Sequence, residues 1–332
     1  MLRFALTRAF LAIVTLLTVS LIVFTLMELV PGTCAERYLA FKNTSGSQIS
    51  IADIEAEKVR LGLDRPFMTR WGNWVYDVVV HGEFGDSCIL RLNINQLLAD
   101  KFWVSLGICM AALILSYAIA VPVGILSSSS NNAVANNSLR FVSYLGLALP
   151  NFLLALIIML ISTVYFGDSL TGLFSKEYRD AAWSWAKFGD FLSRAWLPVF
   201  ILGWSATAFA LQTVRALMLD EIGKLYVTAA SARGVSGARL LWRYPAKHSL
   251  GPVINSLGFD LNRIFNELPI VALILTLTEA GALLFDSLAR SNDQQLAGAI
   301  IFLLTASIVA LNFVTDILLA LIDPRVRRGL IG

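Results

Sequence analysis

The chain has 332 residues, of which 57% are hydrophobic and 15% are charged, and its formal net charge is +3. Soluble domains carry roughly 25% charged residues, so this composition, with a mean hydropathy of +0.71, excludes an ordinary soluble protein and predicts a membrane protein. Three cysteines are too few to indicate a disulfide-stapled scaffold.

Six apolar windows are long enough to cross a bilayer, whose hydrocarbon core of about 30 Å needs roughly 20 residues of helix. They cover residues 9–30, 102–126, 141–166, 197–219, 252–278 and 296–322. The first window follows Arg3 and Arg8 as in a secretory signal, but its apolar run exceeds the roughly 7 to 15 residues of a signal peptide. No small-x-small cleavage site follows it. The sequence therefore predicts that the first window is a transmembrane helix.

The long segment 32–101 between the first two windows is predicted to be external and mostly helical. Its stretch ISIADIEAEKVRLGL has a partial apolar stripe at helical spacing. A second stretch, MTRWGNWVYDVVV, places Trp71, Trp74, Val75 and Val78 at steps of three, one and three. This spacing predicts a short amphipathic helix at the membrane interface, where tryptophan is enriched.

Two of the three cysteines, Cys34 and Cys88, fall in this external segment, whereas Cys109 lies in the second window. The external face of a bacterial inner membrane is oxidising and permits disulfides. A bridge between Cys34 and Cys88 is therefore one prediction, and two unpaired thiols are the alternative.

The distribution of charge orients the chain, because cytoplasmic loops are enriched in lysine and arginine. With the N-terminus in the cytoplasm, the inner side holds the basic residues of both termini and of segment 224–247, against only Asp220, Glu221 and Asp323. The external side then carries an excess of acidic residues. Both termini, and the loop between the fourth and fifth windows, are therefore predicted to be cytoplasmic.

Motifs of several common enzyme classes are missing from the sequence. The nearest match to GxxxxGK[ST], which cradles nucleotide phosphates, is EIGKLY, and it lacks both the first glycine and the hydroxyl residue. HExxH, CxxC and GxSxG are absent, and the predicted topology puts His81 and His248 on opposite sides of the membrane. The chain is therefore predicted to be non-catalytic and to bind no metal or cofactor itself.

The loop after the fourth window contains YVTAASARGVSGARLLWRYPAKHSLGPVIN at residues 226–255, which is polar and basic between apolar stretches. One interpretation is a topology determinant that rests on anionic lipid headgroups. The internal pattern favours docking to another protein, because small residues allow close approach. One side of a predicted helix carries Leu225, Thr228, Ala229 and Ala232. Gly234 is predicted to end this helix, and Ser236 to cap the next one.

This order of helix, glycine turn and helix resembles the cytoplasmic coupling loop of the permease subunits of binding-protein-dependent ABC importers, whose signature is EAA, three residues and glycine. Here the signature stands as Thr228, Ala229, Ala230 and Gly234, with threonine in place of glutamate. The resemblance continues in the fragments LGLDRP, GEFGDS, LGLALPNFLLAL and LLALIDPRVRRG. In order and spacing these fragments are similar to the first permease subunit of the dipeptide, oligopeptide and nickel importer family.

The resemblance implies an all-α, polytopic membrane protein with about six transmembrane helices in the type I ABC importer fold. The whole chain, 1–332, is expected to form a single transmembrane domain. Its expected parts are a first helix at 1–31, an external segment at 32–101 and a five-helix core at 102–322, with the coupling loop at 220–251. The expected location is the bacterial inner membrane, with both termini in the cytoplasm.

The same resemblance implies a transport function and the partners that serve it. These are a second permease in a heterodimer, two cytoplasmic ATPase subunits that bind ATP and magnesium, an external solute-binding protein and membrane lipid, with no nucleic acid. The expected solute is a peptide or a peptide-like molecule. The residues expected to contact the ATPase are Tyr226, Thr228, Ala229, Ala230, Arg233, Gly234 and Arg239.

The fifth window contains Asp260, Arg263 and Glu267 at steps of three and four, so these charges share one helical face. A charged side chain near the bilayer centre costs roughly 2.5–3.5 kcal/mol on insertion scales, so this face is not expected to meet lipid. It either lines the translocation path or its gate, or packs as a cluster in which Arg263 bridges two acids. Intramembrane carboxylates also leave a proton-coupled secondary transporter as the alternative function. Asn312 and Asp316 in the last window are predicted to be packing groups.

Overall fold

The computed structural model describes residues 2–29, 32, 34–44, 50–60, 62–166, 171–175, 177–178, 181–277, 280–291 and 293–322. Every regular element in these ranges is a helix, and the one pairing of extended backbone in them is an isolated antiparallel bridge between Asp86 and Asn93. The predicted all-α fold class is confirmed.

In chain order the α-helices of the described residues are α1 (Leu2–Leu29), α2 (Cys34–Thr44), α3 (Ile51–Arg60), α4 (Phe67–Tyr76), α5 (Ile94–Ser128), α6 (Ala133–Ala148), α7 (Asn151–Ile161), α8 (Trp185–Ile222), α9 (Leu225–Ala232), α10 (Gly237–Arg243), α11 (Pro245–Asn255), α12 (Leu257–Ile274), α13 (Ala280–Phe285) and α14 (Gln294–Ile322). Turns of π-helix continue α4, α7 and α13 at Asp77–His81, Ser162–Phe166 and Asp286–Arg290.

The chain divides into two compact units. The first contains Met1–Ala9, Leu106–Leu277 and Ala310–Gly332, and the second contains Phe10–Ser105 and Thr278–Val309.

Several helices have the length and composition of membrane spans. Within the described ranges, four single helices are long and apolar enough to cross a membrane: Arg3–Leu29, Ile94–Ser128, Trp185–Ile222 and Gln294–Leu321. They coincide with the first, second, fourth and sixth predicted windows, and a fifth span results if α6 and α7 count together. The fifth window corresponds to α12, which has 18 residues and holds the three charged side chains. The chain is therefore a polytopic membrane protein, as its sequence predicts.

The third predicted window, 141–166, is not one continuous helix. Its two halves, α6 and α7, meet at an angle of 100°. Leu149 at the bend has an extended backbone, with φ −89° and ψ 116°, because the ring of Pro150 disfavours the helical conformation in the residue before it. Pro150 also has no N–H to continue the helical hydrogen bonds. The chain therefore forms two half-helices here.

Glycines bring helices of the first unit close together. A Cβ added to Gly146 of α6 would lie 2.7 Å from the Ala208 Cβ of α8, and one added to Gly124 of α5 would lie 2.8 Å from the Val214 Cγ1 of α8. Close approach matters in a membrane because van der Waals packing replaces the hydrophobic effect as the force that associates helices. Both α5 and α6 therefore pack against α8.

Two polar side chains hold the last helix in the first unit. The Asn312 amide occupies the space that a side chain on Gly258 of α12 would need. The Asp316 carboxylate pairs with the Arg8 guanidinium of α1 at 3.2 Å. Both residues make packing contacts between helices, which is the role that the sequence predicts.

In the second unit, α4 packs against α1 and α14 through its aromatic side. The Trp71 indole N–H donates to the Ser20 hydroxyl at 3.2 Å, and the Trp74 ring meets the Phe302 ring edge-on, with centroids 5.3 Å apart. The predicted short helix with paired tryptophans is therefore present, and it begins at Phe67. The segment that follows α1 is mostly helical, as predicted.

Candidate functional site

The basic loop after α8 folds as the short helices α9, α10 and α11. The end of α9 has two hydrogen bonds that differ from the regular helical spacing of four residues. The Val235 N–H donates to the Ala230 carbonyl at 3.3 Å, and the Gly234 N–H donates to the Ser231 carbonyl at 2.9 Å. This is the Schellman pattern of helix termination. Gly234 has a φ of +85°, a left-handed conformation in which any side chain is strained. The structure therefore ends α9 at the glycine that the sequence indicates.

The second helix of the loop begins where it is predicted, but without the predicted cap. Ser236 stands at the N-cap position of α10 with an extended backbone, and its side chain makes no capping hydrogen bond. The next residue, Gly237, has a φ of +59°. The start of α10 therefore combines an uncapped Ser236 with a left-handed residue at the first helical position.

One side of α9 is exposed and the other is buried. The exposed side consists of the four residues that the sequence groups together: Leu225, Thr228, Ala229 and Ala232. Leu225 is 86% exposed although it is apolar. Val227 and Ala230 face the interior and are buried. Ala230 is predicted to contact a partner, but the structure buries it. It follows the exposed Ala229 by one residue of helix and therefore faces the core of its own chain.

Three further predicted contacts, Arg233, Gly234 and Arg239, lie on the exposed surface of the loop. The Arg233 Nε donates back to the Ala229 carbonyl at 3.3 Å, across one turn. The positive charge of Arg233 is thus held next to the exposed side of α9.

Tyr226 is tied to its own chain. Its hydroxyl donates to the Glu221 carboxylate near the end of α8, and its ring meets the His248 ring of α11 edge-on, with centroids 5.2 Å apart. Burial, and then the hydrogen bond to Glu221, raise the pKa of Tyr226 above its ordinary value, so the hydroxyl stays a donor at neutral pH. Tyr226 therefore positions α9 between α8 and α11.

An apolar cluster fastens the loop to long helices of the first unit. Its buried members are Leu241, Ala246 and Val253 of the loop, Ile125 of α5, and Val214 and Met218 of α8. Close-packed side chains transmit displacement because they leave little free volume. A movement of the loop therefore reaches α5 and α8. Sequence analysis missed this cluster, since its members come from distant parts of an almost uniformly apolar chain.

Asp260 of α12 is enclosed within the first unit. It is 0% exposed, and its carboxylate accepts a hydrogen bond from the Tyr117 hydroxyl of α5. The same hydroxyl lies 2.9 Å from the Ser256 Oγ, and the Asp260 Oδ1 has no hydrogen-bond partner. Asp260 therefore joins α12 to α5 and does not face a water-filled path in this structure. Tyr117 is a site residue that sequence analysis missed, because a lone tyrosine in an apolar window carries no signal.

Arg263 lies against two aromatic rings. Its guanidinium carbon lies 4.3 Å from the centroid of the Phe209 ring of α8 and 5.6 Å from that of Phe259. The ion pairs found within the described ranges do not include Arg263. Arg263 therefore makes no direct ion pair with either acid in this part of the chain, and aromatic faces stabilise the cation. The cluster in which Arg263 bridges the two acids stays a prediction.

Glu267 is partly exposed and has Asn151 and Ser205 as polar neighbours. Asn151 begins α7 just after Pro150 and is 1% exposed. Its amide donates to the Leu202 carbonyl at 3.3 Å and to the Ser205 hydroxyl at 3.2 Å, both on α8. Glu267 therefore lies beside the N-terminus of a half-helix, whose partial positive charge favours a carboxylate.

Metal-ligating side chains do not gather in the part of the chain that the structure describes. No group of three or more His, Cys, Asp or Glu side chains suited to a metal ion occurs there. The charged residues of α12 make contacts between helices in the described structure.

In the second unit, Cys34 and Cys88 are joined by a disulfide, with their Cα atoms 5.6 Å apart. The buried Asp293 carboxylate accepts from the Leu296 N–H at 3.1 Å and from the Cys88 and Ile89 N–H groups at 3.2 Å. Asp293 thus caps the start of α14 and holds the loop around Cys88. The disulfide and this carboxylate together fasten that loop to α2 and α14.

Alkylation followed by intact-mass measurement tests the bridge. In the native protein without reductant we expect no modification, because the remaining thiol, Cys109, is buried. Alkylation in denaturant alone should modify one cysteine, and alkylation in denaturant with reductant should modify three. A Cys109→Ala variant is the matched control and should add none without reductant. Three groups added to the unreduced wild-type chain would show that Cys34 and Cys88 are free thiols.

Comparison with known proteins identifies related sequences along the whole chain. Residues 120–328 match the family described as binding-protein-dependent transport system inner membrane component, and residues 1–91 match the N-terminal family of such membrane components. The oligopeptide transport system permease protein AppB of Bacillus subtilis (strain 168) is 27% identical over 98% of this chain and 99% of its own length. The nickel import system permease protein NikB of Staphylococcus aureus (strain bovine RF122 / ET3-1) is 26% identical over 95% of this chain and 89% of its own.

A solved structure shares the fold. A chain of the MetNI methionine ABC transporter in an inward-facing conformation superposes with a TM-score of 0.54 and 14% sequence identity, covering 69% of this chain and 97% of that chain. At this identity the likeness shows the fold alone. The fold of this chain is therefore shared with that chain of the MetNI transporter.

Proposed function

The chain belongs to the family of binding-protein-dependent transport system inner membrane components, and from this premise we propose that it is one of two permease subunits of an ATP-driven importer. A second, similar permease completes the translocation pathway. Two cytoplasmic ATPase subunits bind ATP and magnesium, and an external binding protein delivers the solute. This chain itself binds no nucleotide and catalyses no reaction.

The exposed side of α9 supports this function most directly. Small side chains at Thr228, Ala229 and Ala232 allow an ATPase surface to approach closely, and the exposed Leu225 offers an apolar anchor. Closure of the ATPase pair around ATP moves this side of the helix. The apolar cluster beneath the loop passes the movement to α5 and α8, and the permease pair changes between outward and inward access.

The arginines of the loop contribute polar contacts. Arg233 and Arg239 are exposed on either side of the turn at Gly234, where their guanidinium groups reach carboxylates of an ATPase or lipid phosphates. A contact with ATPase subunits requires this loop to be cytoplasmic, and with it both termini. The excess of basic residues on that side supports the same orientation.

The pathway lies beside Arg263 and Glu267 in this proposal. Both side chains are partly exposed in the isolated chain, whereas Asp260 is enclosed. The broken helix at Pro150 lies next to Glu267, and discontinuous helices mark solute sites in many transporters. Arg263 and Glu267 therefore face the second permease and the gate, while Asp260 fixes α12 to α5.

The solute is a peptide or a peptide-like molecule in this proposal. The name of AppB states oligopeptide transport, and AppB is similar over almost the full length of both chains. A nickel complex is the second candidate, favoured by the comparable similarity to NikB. The relatives give no support to the proton-coupled alternative.

Uptake into proteoliposomes tests the proposed function. The full chain is reconstituted with the second permease, the ATPases and the binding protein. We expect a labelled oligopeptide to accumulate only when ATP reaches the ATPases, at a rate that a protonophore leaves unchanged. Vesicles without the ATPases are the control. Uptake by this chain alone, or uptake driven by a pH gradient without ATP, would overturn the importer assignment. ATP-dependent uptake of a nickel complex but not of peptide would show that the solute is the nickel complex.

A further inference from the structure

We propose that α4 and the π-helical turn after it lie within the outer leaflet of the bilayer, where an exposed apolar stripe of this helix contacts lipid acyl chains. The segment 32–101 is then not wholly external, in contrast to the expectation from its sequence. This inference concerns the second unit by itself and is independent of the identity of the solute.

Contacts with α1 define the depth of α4. The Trp71 indole donates to the Ser20 hydroxyl at 3.2 Å, and the Phe67 ring meets the Phe24 ring edge-on, with centroids 5.5 Å apart. Ser20 and Phe24 precede Leu29, the last residue of α1, by distances of about 13 Å and about 7 Å along a helix that rises 1.5 Å per residue. The residues of α1 between Ser20 and Glu28 are apolar apart from Thr25, so α4 lies beside the membrane-spanning part of α1 and not above it.

The contacts with α14 give the same depth independently. The Phe302 ring lies 5.3 Å from the Trp74 ring and 6.4 Å from the Phe84 ring. Phe302 is about 12 Å of helix beyond Gln294, where α14 begins. Two membrane-spanning helices therefore place the tryptophans of α4 well below their outer ends.

Two polar side chains on the packed side of α4, Trp74 and Arg70, have partners, as hydrocarbon surroundings require, although the buried Arg70 Nε makes no hydrogen bond. The Trp74 indole N–H donates to the Phe84 carbonyl at 3.4 Å. The Arg70 guanidinium pairs with the Glu28 carboxylate of α1 at 2.6 Å. These contacts reduce the cost of keeping an indole and an arginine at membrane depth.

The other side of α4 carries an exposed apolar stripe. Met68, Tyr76, Val79 and Val80 are each more than half exposed. Met68 and Tyr76 are two helical steps of four apart, so they lie along one line of the helix. Exposure of this apolar stripe to water would be unfavourable. An exposed apolar surface of this kind marks a contact with protein or lipid.

Continuity with α1 identifies lipid as the occupant. In the second unit, α1 exposes Ile22, Leu26 and Leu29, which are apolar side chains of a membrane span. The stripe of α4 lies at the same level of the membrane as these residues, because Ser20 and Phe24 of that part of α1 touch α4. Acyl chains that cover the exposed side of α1 therefore also reach α4.

A polar stripe separates this lipid side from the packed side. Thr69, Asn73 and Asp77 follow one another at steps of four and are exposed. Asn73 and Asp77 line a cavity of about 650 Å³ together with Arg70 and Asp86. A helix that meets lipid on one side and a polar-lined cavity on the next accounts for both stripes.

Spin labels on single cysteines test the placement. In a Cys109→Ala background, Met68→Cys and Val79→Cys report on the apolar stripe, and Asn73→Cys is the matched control on the polar stripe. The full chain, with its native disulfide, is reconstituted in phospholipid vesicles. Dissolved oxygen concentrates in hydrocarbon, whereas a nickel chelate stays in water because polar groups are costly to transfer.

We expect the labels at positions 68 and 79 to collide readily with oxygen and to collide with the nickel chelate roughly tenfold less often than the label at position 73, since about 1.4 kcal/mol of transfer cost excludes a solute tenfold. Equal access of the chelate to all three labels would place the stripe in water and overturn the proposal. Low access to both reagents at positions 68 and 79 would show a protein partner on the stripe and would overturn it as well.

Discussion

A Gly234→Val variant is expected to lose ATP-coupled uptake while reaching the membrane in normal amounts. The backbone of Gly234 has a φ of +85°, and left-handed geometry costs a residue with a Cβ roughly 1–2 kcal/mol, more when the side chain is β-branched. That cost lowers the population of the capped end of α9 by roughly 5- to 30-fold. Uptake in vesicles and the amount of chain in the membrane fraction measure the two expected effects.

Two matched variants separate backbone strain from simple bulk. Nothing lies within 4 Å of a Cβ built on Gly234 or on Gly223, but Gly223 has a helical backbone with φ −73°. Gly223→Val is therefore expected to retain uptake. Gly234→Asn should retain more uptake than Gly234→Val, because asparagine tolerates left-handed geometry. Equal loss in all three variants would show that any side chain in this loop obstructs docking, and normal uptake in Gly234→Val would remove the coupling role of the turn.

A Tyr117→Phe variant is expected to destabilise the purified chain by about 1–3 kcal/mol, because it leaves a buried carboxyl group without its hydrogen-bond partner. Asp260 is 0% exposed, and the Tyr117 hydroxyl is its partner across α5 and α12. Unfolding in mixed detergent micelles, followed by far-ultraviolet circular dichroism, measures the change. Tyr144→Phe, on an exposed tyrosine of α6, is the control and should leave stability unchanged.

The double variant Tyr117→Phe/Asp260→Leu is expected to be more stable than Tyr117→Phe. Replacing both partners by apolar groups of similar shape removes the unpaired carboxyl group, and such exchanges are close to neutral. The Ser256 hydroxyl keeps a partner, since it also donates to the Val253 carbonyl at 2.9 Å. The Asp260→Leu single variant completes the comparison. If the double variant were destabilised by the sum of the two single-variant effects, Tyr117 and Asp260 would not interact.

Local patterns in the sequence predicted much of the fold. Apolar windows located the long helices, because the thickness of a bilayer sets the length of a span. The end of α9 at Gly234 followed from the backbone freedom of glycine. The break before Pro150 was missed although the proline is visible in LGLALPNFLLAL, because hydropathy alone defined that window.

The side-chain partners of the charged residues were beyond sequence reasoning. Spacing put Asp260, Arg263 and Glu267 on one face of a helix, but it did not show that Asp260 meets Tyr117 of α5 or that Arg263 lies on Phe209 of α8. In an apolar chain, one tyrosine or phenylalanine looks like any other until the helices pack.

The sequence by itself determined that the chain is a helical membrane protein whose basic loop contains a glycine-ended helix, since both properties depend on residues close together along the chain. Only the tertiary structure decided which side of α9 is free for a partner, that Ala230 is buried and that α4 lies beside the spans of α1 and α14. These outcomes depend on which distant surfaces meet, and helical spacing specifies the faces of a helix but not the neighbour that each face receives.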